Sequence, residues 1–296
     1  MNKPKLAYIG IGLMGLPMTL RLLSLGYRVR VFDIASAQCT KVHAAGATVA
    51  ISPADAALGA DFILTNLPTG DAVEQAVFGA QYGRTLASAM TAPQLLIDFS
   101  TLQVAQGKSF AGRLRKHSAC AWIDAPVSGG PPASAEGRLT IMAGGSVDDI
   151  ARVTPLMQDI AGQFTHMGPL GSGLATKMLN QLIVGCIHTV MAEAASLAEV
   201  AGIDAALLPQ ALLGGHADGT LLQRLYPRKI ARDFKPQGYA RQLLKDLEMV
   251  HDYATILKTP SPMLNHALAL YRQLISEGHS ELDTGAIYKL YQDRSI

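Results

Sequence analysis

The sequence predicts an α/β chain: a doubly wound parallel sheet over the first half, then a long helix and an all-helical second half. Three observations predict it. Short apolar runs alternate with helical patterns from Leu6 to Ala125. A glycine-rich turn joins the first run to the first helix. From Leu174 onward helical spacing replaces the alternation.

Leu6–Ile9 is a short apolar run ending in glycine, which reads as a buried parallel strand. Met14–Leu25 has helical spacing and stops at Gly26. Further strands are expected at Arg28–Phe32, Phe62–Asn66, Leu95–Phe99 and Trp122–Ala125, with helical patterns between them. Such alternation implies right-handed crossovers, with helices on both faces of one sheet. Leu174–Ala201 contains no proline and almost no charge, so it reads as a helix apolar nearly all round and buried between two bodies. Gly202 ends it. Gly214-Gly215, Pro227, Pro236 and Pro260-Ser261-Pro262 punctuate the helical patterns that follow. The boundary is expected near Phe164–Gly168, which gives domains 1–165 and 166–296.

Composition narrows the function. With 296 residues, 49% hydrophobic and 16% charged, the chain can build two packed cores. A net charge of +2 gives no electrostatic case for nucleic acid or a membrane surface. Lys3 and Lys5 precede an apolar stretch, but glycines break it and no small-residue cleavage site follows, so it does not read as a secretory signal. Elsewhere no run of about 20 apolar residues is expected to span a bilayer. The three cysteines, Cys39, Cys120 and Cys186, form no CxxC pair and read as buried hydrophobes in a reducing compartment, so a cytoplasmic location is expected. The eight histidines show no metal-ligand spacing, and no metal is expected.

Gly10-Ile11-Gly12-Leu13-Met14-Gly15 fits GxGxxG between a strand and a helix. Gly10 permits the turn out of the strand, Gly12 lets the backbone approach a pyrophosphate, and Gly15 lets helix and strand pack closely. The helix N-terminus then offers free N–H groups to the anion. Asp33 closes the second strand where a carboxylate grips the adenine ribose hydroxyls and repels a 2′-phosphate. The cofactor expected is NAD, with NADP possible because basic residues lie nearby; an Asp capping the next turn is the plainer reading. Asn66-Leu67-Pro68 and Asp98-Phe99-Ser100-Thr101 end strands on the edge where such a cofactor lies, although either also reads as an ordinary turn. These features describe a Rossmann-type domain.

A dehydrogenase needs a proton donor beside the reacting carbonyl and an anchor for the rest of its substrate. Lys177 is the donor candidate, because it sits early in the apolar helix, where burial eases proton exchange near neutrality. Asn180 and Gln181 share its face. A lysine snorkelling into water fits the periodicity equally well. Ser128-Gly129-Gly130 can aim backbone N–H groups at one carboxylate, or be a simple loop. Lys245-Asp246 reads as a solvated pair, and His188 as a hydrogen-bonded core residue.

Taken together, these motifs resemble the β-hydroxyacid dehydrogenase family, nearly end to end. The family includes 3-hydroxyisobutyrate dehydrogenases, tartronate semialdehyde (2-hydroxy-3-oxopropionate) reductases and, more distantly, 6-phosphogluconate dehydrogenases. The resemblance rests on Gly10 to Met18, Asp124-Ala125-Pro126-Val127-Ser128-Gly129-Gly130, Glu136-Gly137 with Met142 to Gly145, Gly171-x-Gly173-x-x-Thr176-Lys177-x-x-Asn180-Gln181, and Lys245-Asp246-Leu247. It implies Lys177 as catalytic acid/base, Asn180 as catalytic and substrate ligand, Ser128, Gly129 and Gly130 as the carboxylate site, and Lys245 near the nicotinamide. It implies Gly10, Ile11, Gly12, Leu13, Met14, Gly15, Asp33, Leu67, Pro68 and Thr101 as the rest of the cofactor site. It also implies a helical domain that dimerises, hence a homodimer or homotetramer acting on a small carboxylate substrate. The lysine at 177 argues against the imine-reductase branch, in which that lysine is usually replaced. Gly214 to Thr220, Phe234-Lys235-Pro236 and the Asp283–Tyr291 tail lean toward tartronate semialdehyde reductase. His216 and Asp218 are unusual for one, which keeps 3-hydroxyisobutyrate dehydrogenase open; a nucleotide-sensing module is the non-enzymatic alternative.

Overall fold

A computed structural model describes residues 3–292. The chain divides into two compact units, Met1–Lys177 and Met178–Ile296, and the division falls inside the long helix.

Among the described residues the first unit is built on nine strands: β1 (Leu6–Ile9), β2 (Val29–Phe32), β3 (Thr48–Val49), β4 (Phe62–Thr65), β5 (Leu95–Asp98), β6 (Ala121–Asp124), β7 (Val127–Ser128), β8 (Leu139–Gly144) and β9 (Ala161–Gly168). Their order is β3-β2-β1-β4-β5-β6-β8-β7, with β9 also on β8. The pairings from β3 to β6 are parallel. Alternate side chains of β1 feed two cores: Leu6 and Tyr8 join Met18, Leu22, Val153 and Met157, whereas Ala7 and Ile9 join Val73, Phe110 and Leu114. Helices therefore cover both faces, as the alternating sequence implies. Strand order reverses between β1 and β4, and this switch point is where such sheets bind ligands beyond their carboxyl ends.

The sheet is not parallel throughout. β8 runs antiparallel to β6 and β7, and parallel to β9. Asp124 pairs with Gly144, Val127 with Ile141 and Ser128 with Thr140, so β7 continues β6 in constant register along one edge of β8. Pro126, which has no N–H to donate, sits in the break between them.

In the second unit the helices Ala240–Ile256 and Pro262–Ser276 enclose a core that includes Met191, Tyr226, Leu247, Leu268, Tyr271 and Tyr288. Gly185 lets the long helix approach the first of these, since a Cβ there would lie 2.7 Å from Leu247 Cδ2. His188 is buried, and its backbone carbonyl accepts a 2.7 Å hydrogen bond from the buried Lys229. Burial pushes the Lys229 ammonium down to about 7, opposed by the Asp283 charge.

The long helix runs Ser172–Val200, and Gly202 closes it with φ +73°, its N–H on Glu199 and that of Ile203 on Ala198. It is not buried all round. Leu179, Ile183, Ile187, Val190, Leu197 and Val200 form an exposed apolar stripe at helical spacing. Contrary to the sequence expectation, length and composition alone would let this helix cross a bilayer. Lys177, Gln181 and His188 are nonetheless buried along it, an arrangement that is costly in hydrocarbon and ordinary in a protein core.

Candidate active site

The amino end of the first helix forms the first part of the site. Gly10 leaves β1 with φ +89°, and a Cβ there would strike the Asn66 carbonyl at the end of β4. Gly15 opens the helix Gly15–Ser24, and a Cβ there would strike the Gly10 carbonyl. At Gly12 a Cβ would meet nothing within 4 Å, so the loop has open space where a pyrophosphate would approach. No side chain caps this helix, which leaves its dipole end for an anion. The loop thus fits a dinucleotide. Ile11 is buried and gives its N–H to Asp33, whereas Leu13 is exposed.

Asp33 does more than either sequence reading proposes. One carboxylate oxygen accepts the Ile11 N–H at 2.7 Å and the other accepts the Ala35 N–H at 2.7 Å. It caps its own turn and ties the end of β2 to the glycine loop, while each oxygen keeps a lone pair for a ribose hydroxyl. On the next strands, Leu67 donates its N–H to Ser100 Oγ at 2.9 Å. Ser100 N and Thr65 Oγ1 both donate to Asp98 Oδ1, at 3.0 and 2.8 Å. This knits the segments containing Leu67, Pro68 and Thr101 into one edge. Asp98 is buried, its Oδ2 has no hydrogen-bond partner among the described residues, and burial raises its carboxyl.

The chemical part of this unit gathers at β7. Lys177 is 8% exposed, and its Nζ donates to the Val127 carbonyl at 2.8 Å. It does not snorkel. Val127 immediately precedes Ser128-Gly129-Gly130, where Gly129 and Gly130 take φ +125° and +71°. Those positive angles, and an Ala133 Cβ that would lie 2.7 Å from a Cβ on Gly129, restrict the turn to glycine. Asp124, three residues before Val127, accepts the N–H of Gly171 at 2.7 Å and of Leu174 at 2.8 Å. Burial pushes its carboxyl up to about 6, with a further push from the Asp98 charge.

In the second unit Asn180 Nδ2 donates to Gln181 Oε1 at 2.7 Å, and Gln181 Nε2 to Asp246 Oδ2 at 2.6 Å. Lys245 Nζ lies 3.0 Å from Asp246 Oδ1. The Lys245-Asp246 pair is not the solvated one its sequence suggests, because Asp246 is buried. Leu243, Asp246, Leu247 and Val250 share the inner face of one helix, and that spacing was the available signal. Asp218 accepts from Gly214 N, Gly219 N and Gln223, so it builds its own turn, and His216 is exposed. Sequence reasoning missed Asp124 as the helix anchor; a polar residue ending an apolar strand gives no sign of its distant partners.

A glycine loop open to pyrophosphate and a buried lysine at a substrate-type turn define a dinucleotide-dependent oxidoreductase. Residues 5–168 match the NAD binding domain of 6-phosphogluconate dehydrogenase. Residues 171–291 match the NAD-binding domain of NADP-dependent 3-hydroxyisobutyrate dehydrogenase. An NAD-dependent L-serine dehydrogenase from Pseudomonas aeruginosa is 31% identical over 97% of each chain. The human mitochondrial 3-hydroxyisobutyrate dehydrogenase is 31% identical over 99% of this chain and 88% of that one. The solved 3-hydroxyisobutyrate dehydrogenase of Mycobacterium tuberculosis with L-serine is 28% identical, with TM-score 0.84 over 98% of this chain and 99% of that one. The chain belongs to the β-hydroxyacid dehydrogenase family and is an NAD(P)-dependent dehydrogenase.

Proposed function

We propose that the protein catalyses reversible hydride transfer between NAD(H) and a small 3-hydroxy acid or its semialdehyde, with tartronate semialdehyde as the preferred aldehyde. One observation carries the reading: the Lys177 ammonium is fixed 2.8 Å from the Val127 carbonyl, next to Ser128-Gly129-Gly130. Bound nicotinamide supplies or accepts the hydride at the carbon bearing the oxygen. Ser128 and the backbone N–H groups of Gly129 and Gly130 hold the substrate carboxylate. Lys177 gives its proton to the forming alkoxide during reduction and takes it back during oxidation. Asn180, one turn further along the helix, orients the hydroxyl, and Gln181 fixes the Asn180 amide. Lys245 is paired with Asp246, and the family resemblance assigns it to the cofactor. Positioning and charge stabilisation supply most of the rate. Asp33 favours NAD, since its carboxylate repels a 2′-phosphate.

The relatives named for L-serine and 3-hydroxyisobutyrate support the substrate class, because both compounds carry a carboxylate and a β-hydroxyl. The Gly214 to Thr220 segment favours tartronate semialdehyde within it. A panel of tartronate semialdehyde, methylmalonate semialdehyde, L-serine and 3-hydroxyisobutyrate, run with both cofactor forms, tests the proposal. The highest kcat/KM is expected for tartronate semialdehyde with NADH. A preference for methylmalonate semialdehyde or L-serine would replace the substrate, a strong NADPH preference would overturn the Asp33 argument, and inactivity on all four would overturn the proposed substrate class.

We further propose a homodimer or homotetramer closed over the stripe of Leu179, Ile183, Val190 and Leu197, since an apolar surface of this kind marks an interface. Ile183→Asp with Leu197→Asp should elute as a folded monomer; an unchanged particle mass would place the interface elsewhere.

A further inference from the structure

We infer that Asp124 is the positioning residue for Lys177: its buried carboxylate seats the first turn of the Ser172–Val200 helix and so sets where the ammonium stands. The inference rests on the reading of Lys177 as the proton donor. Asp124 ends β6, is 1% exposed, and spends both oxygens on amides at the start of that helix, Gly171 and Leu174. A carboxylate there also complements the positive end of the helix dipole. Lys177 lies one turn past Leu174, and its Nζ reaches Val127, three residues past Asp124. One stretch of chain, Asp124 to Val127, therefore holds the helix at two successive turns.

The seat has no slack. A Cβ on Gly144 of β8 would lie 2.6 Å from Asp124 Oδ1, and one on Gly173 would lie 2.9 Å from Oδ2. Either methyl would push the helix start off the sheet. The charged group facing Asp124 is Asp98, its register partner on β5; from β8 and the helix the neighbours are the backbones of Gly144 and Gly173.

Protonation of Asp124 removes one acceptor from this seat. Its carboxyl is raised to about 6, so the seat loosens as pH falls through that value. Stability responds with the opposite sign. A raised folded value means that protonation favours the folded state; this contribution is complete below the ordinary carboxylate range and is lost as pH rises through about 6. Acid should therefore lower turnover through Asp124 without unfolding the protein through it.

The test compares Asp124→Asn and Asp98→Asn in the full chain, reading kcat, KM, NADH affinity, melting temperature and the pH profile of kcat. Wild-type kcat should fall on the acid side near about 6. Asp124→Asn should lower kcat roughly tenfold to a hundredfold, the size a displaced catalytic group produces, with KM and NADH affinity unchanged and the acid limb gone. Asp98→Asn should move the limb to lower pH, because the like charge is absent. A persisting limb in Asp124→Asn, or a fall in kcat that merely tracks the folded fraction, would overturn the inference. A fully active Asp124→Asn beside an inactive Lys177→Ala would overturn it alone; an active Lys177→Ala would remove the reading beneath it.

Discussion

Lys177→Ala should lose turnover by roughly a factor of 10² to 10⁴, the usual contribution of a positioned general acid, while NADH still binds. The ammonium is buried and held on the Val127 carbonyl, and alanine leaves no acid at that point. The glycine loop for the cofactor is formed by β1 and its helix, whereas Lys177 is held on the Val127 carbonyl, so NADH affinity should change little. Lys177→Arg should rescue little: a guanidinium keeps the charge but does not release its proton near neutrality. Steady-state kinetics with fluorescence titration of NADH separates the two effects. Unchanged turnover in Lys177→Ala would remove this residue from the mechanism.

Gly12→Ala is the second large effect, and it should strike binding without striking the fold. A Cβ at Gly12 meets nothing within 4 Å and the residue is not at positive φ, so the melting temperature should stay at the wild-type value. The same methyl intrudes where the pyrophosphate approaches the backbone. Overpacking costs about 1–3 kcal/mol, roughly a factor of 5 to 150 in NADH affinity. Gly15→Ala supplies the contrast, because its methyl collides with the Gly10 carbonyl and should lower stability first. Equal NADH affinity in Gly12→Ala and wild type would mean that the open space above Gly12 is not the phosphate seat.

Much of this architecture was legible because its signals are local. GxGxxG between a strand and a helix depends on contiguous backbone; Gly10 and Gly15 have a steric reason within the fold, whereas a Cβ at Gly12 would meet only open space. The strands β1, β2, β4, β5 and β6 are short, apolar and bounded by turns, which periodicity detects to within a residue, whereas β3, two exposed residues, gives no such signal. What lay beyond reach depends on distant partners. The antiparallel return of β8 against β6 and β7 is set by pairing, and β7 is only two residues long. The carboxylates of Asp33, Asp124 and Asp246 gain their roles from Ile11, from Gly171 with Leu174, and from Gln181. The long helix misled for a related reason. Its composition is apolar on every side, and composition cannot tell a face covered by its own chain from an exposed one such as the Leu179 to Val200 stripe.

The most direct measurement follows the transferred atom itself. With NADH deuterated at the reactive C4 position and tartronate semialdehyde as acceptor, the account predicts one deuterium on the carbinol carbon of the hydroxy acid for each NADH oxidised, read by mass spectrometry. NADH oxidation that leaves the product unlabelled, or none with any small semialdehyde acid, would contradict it.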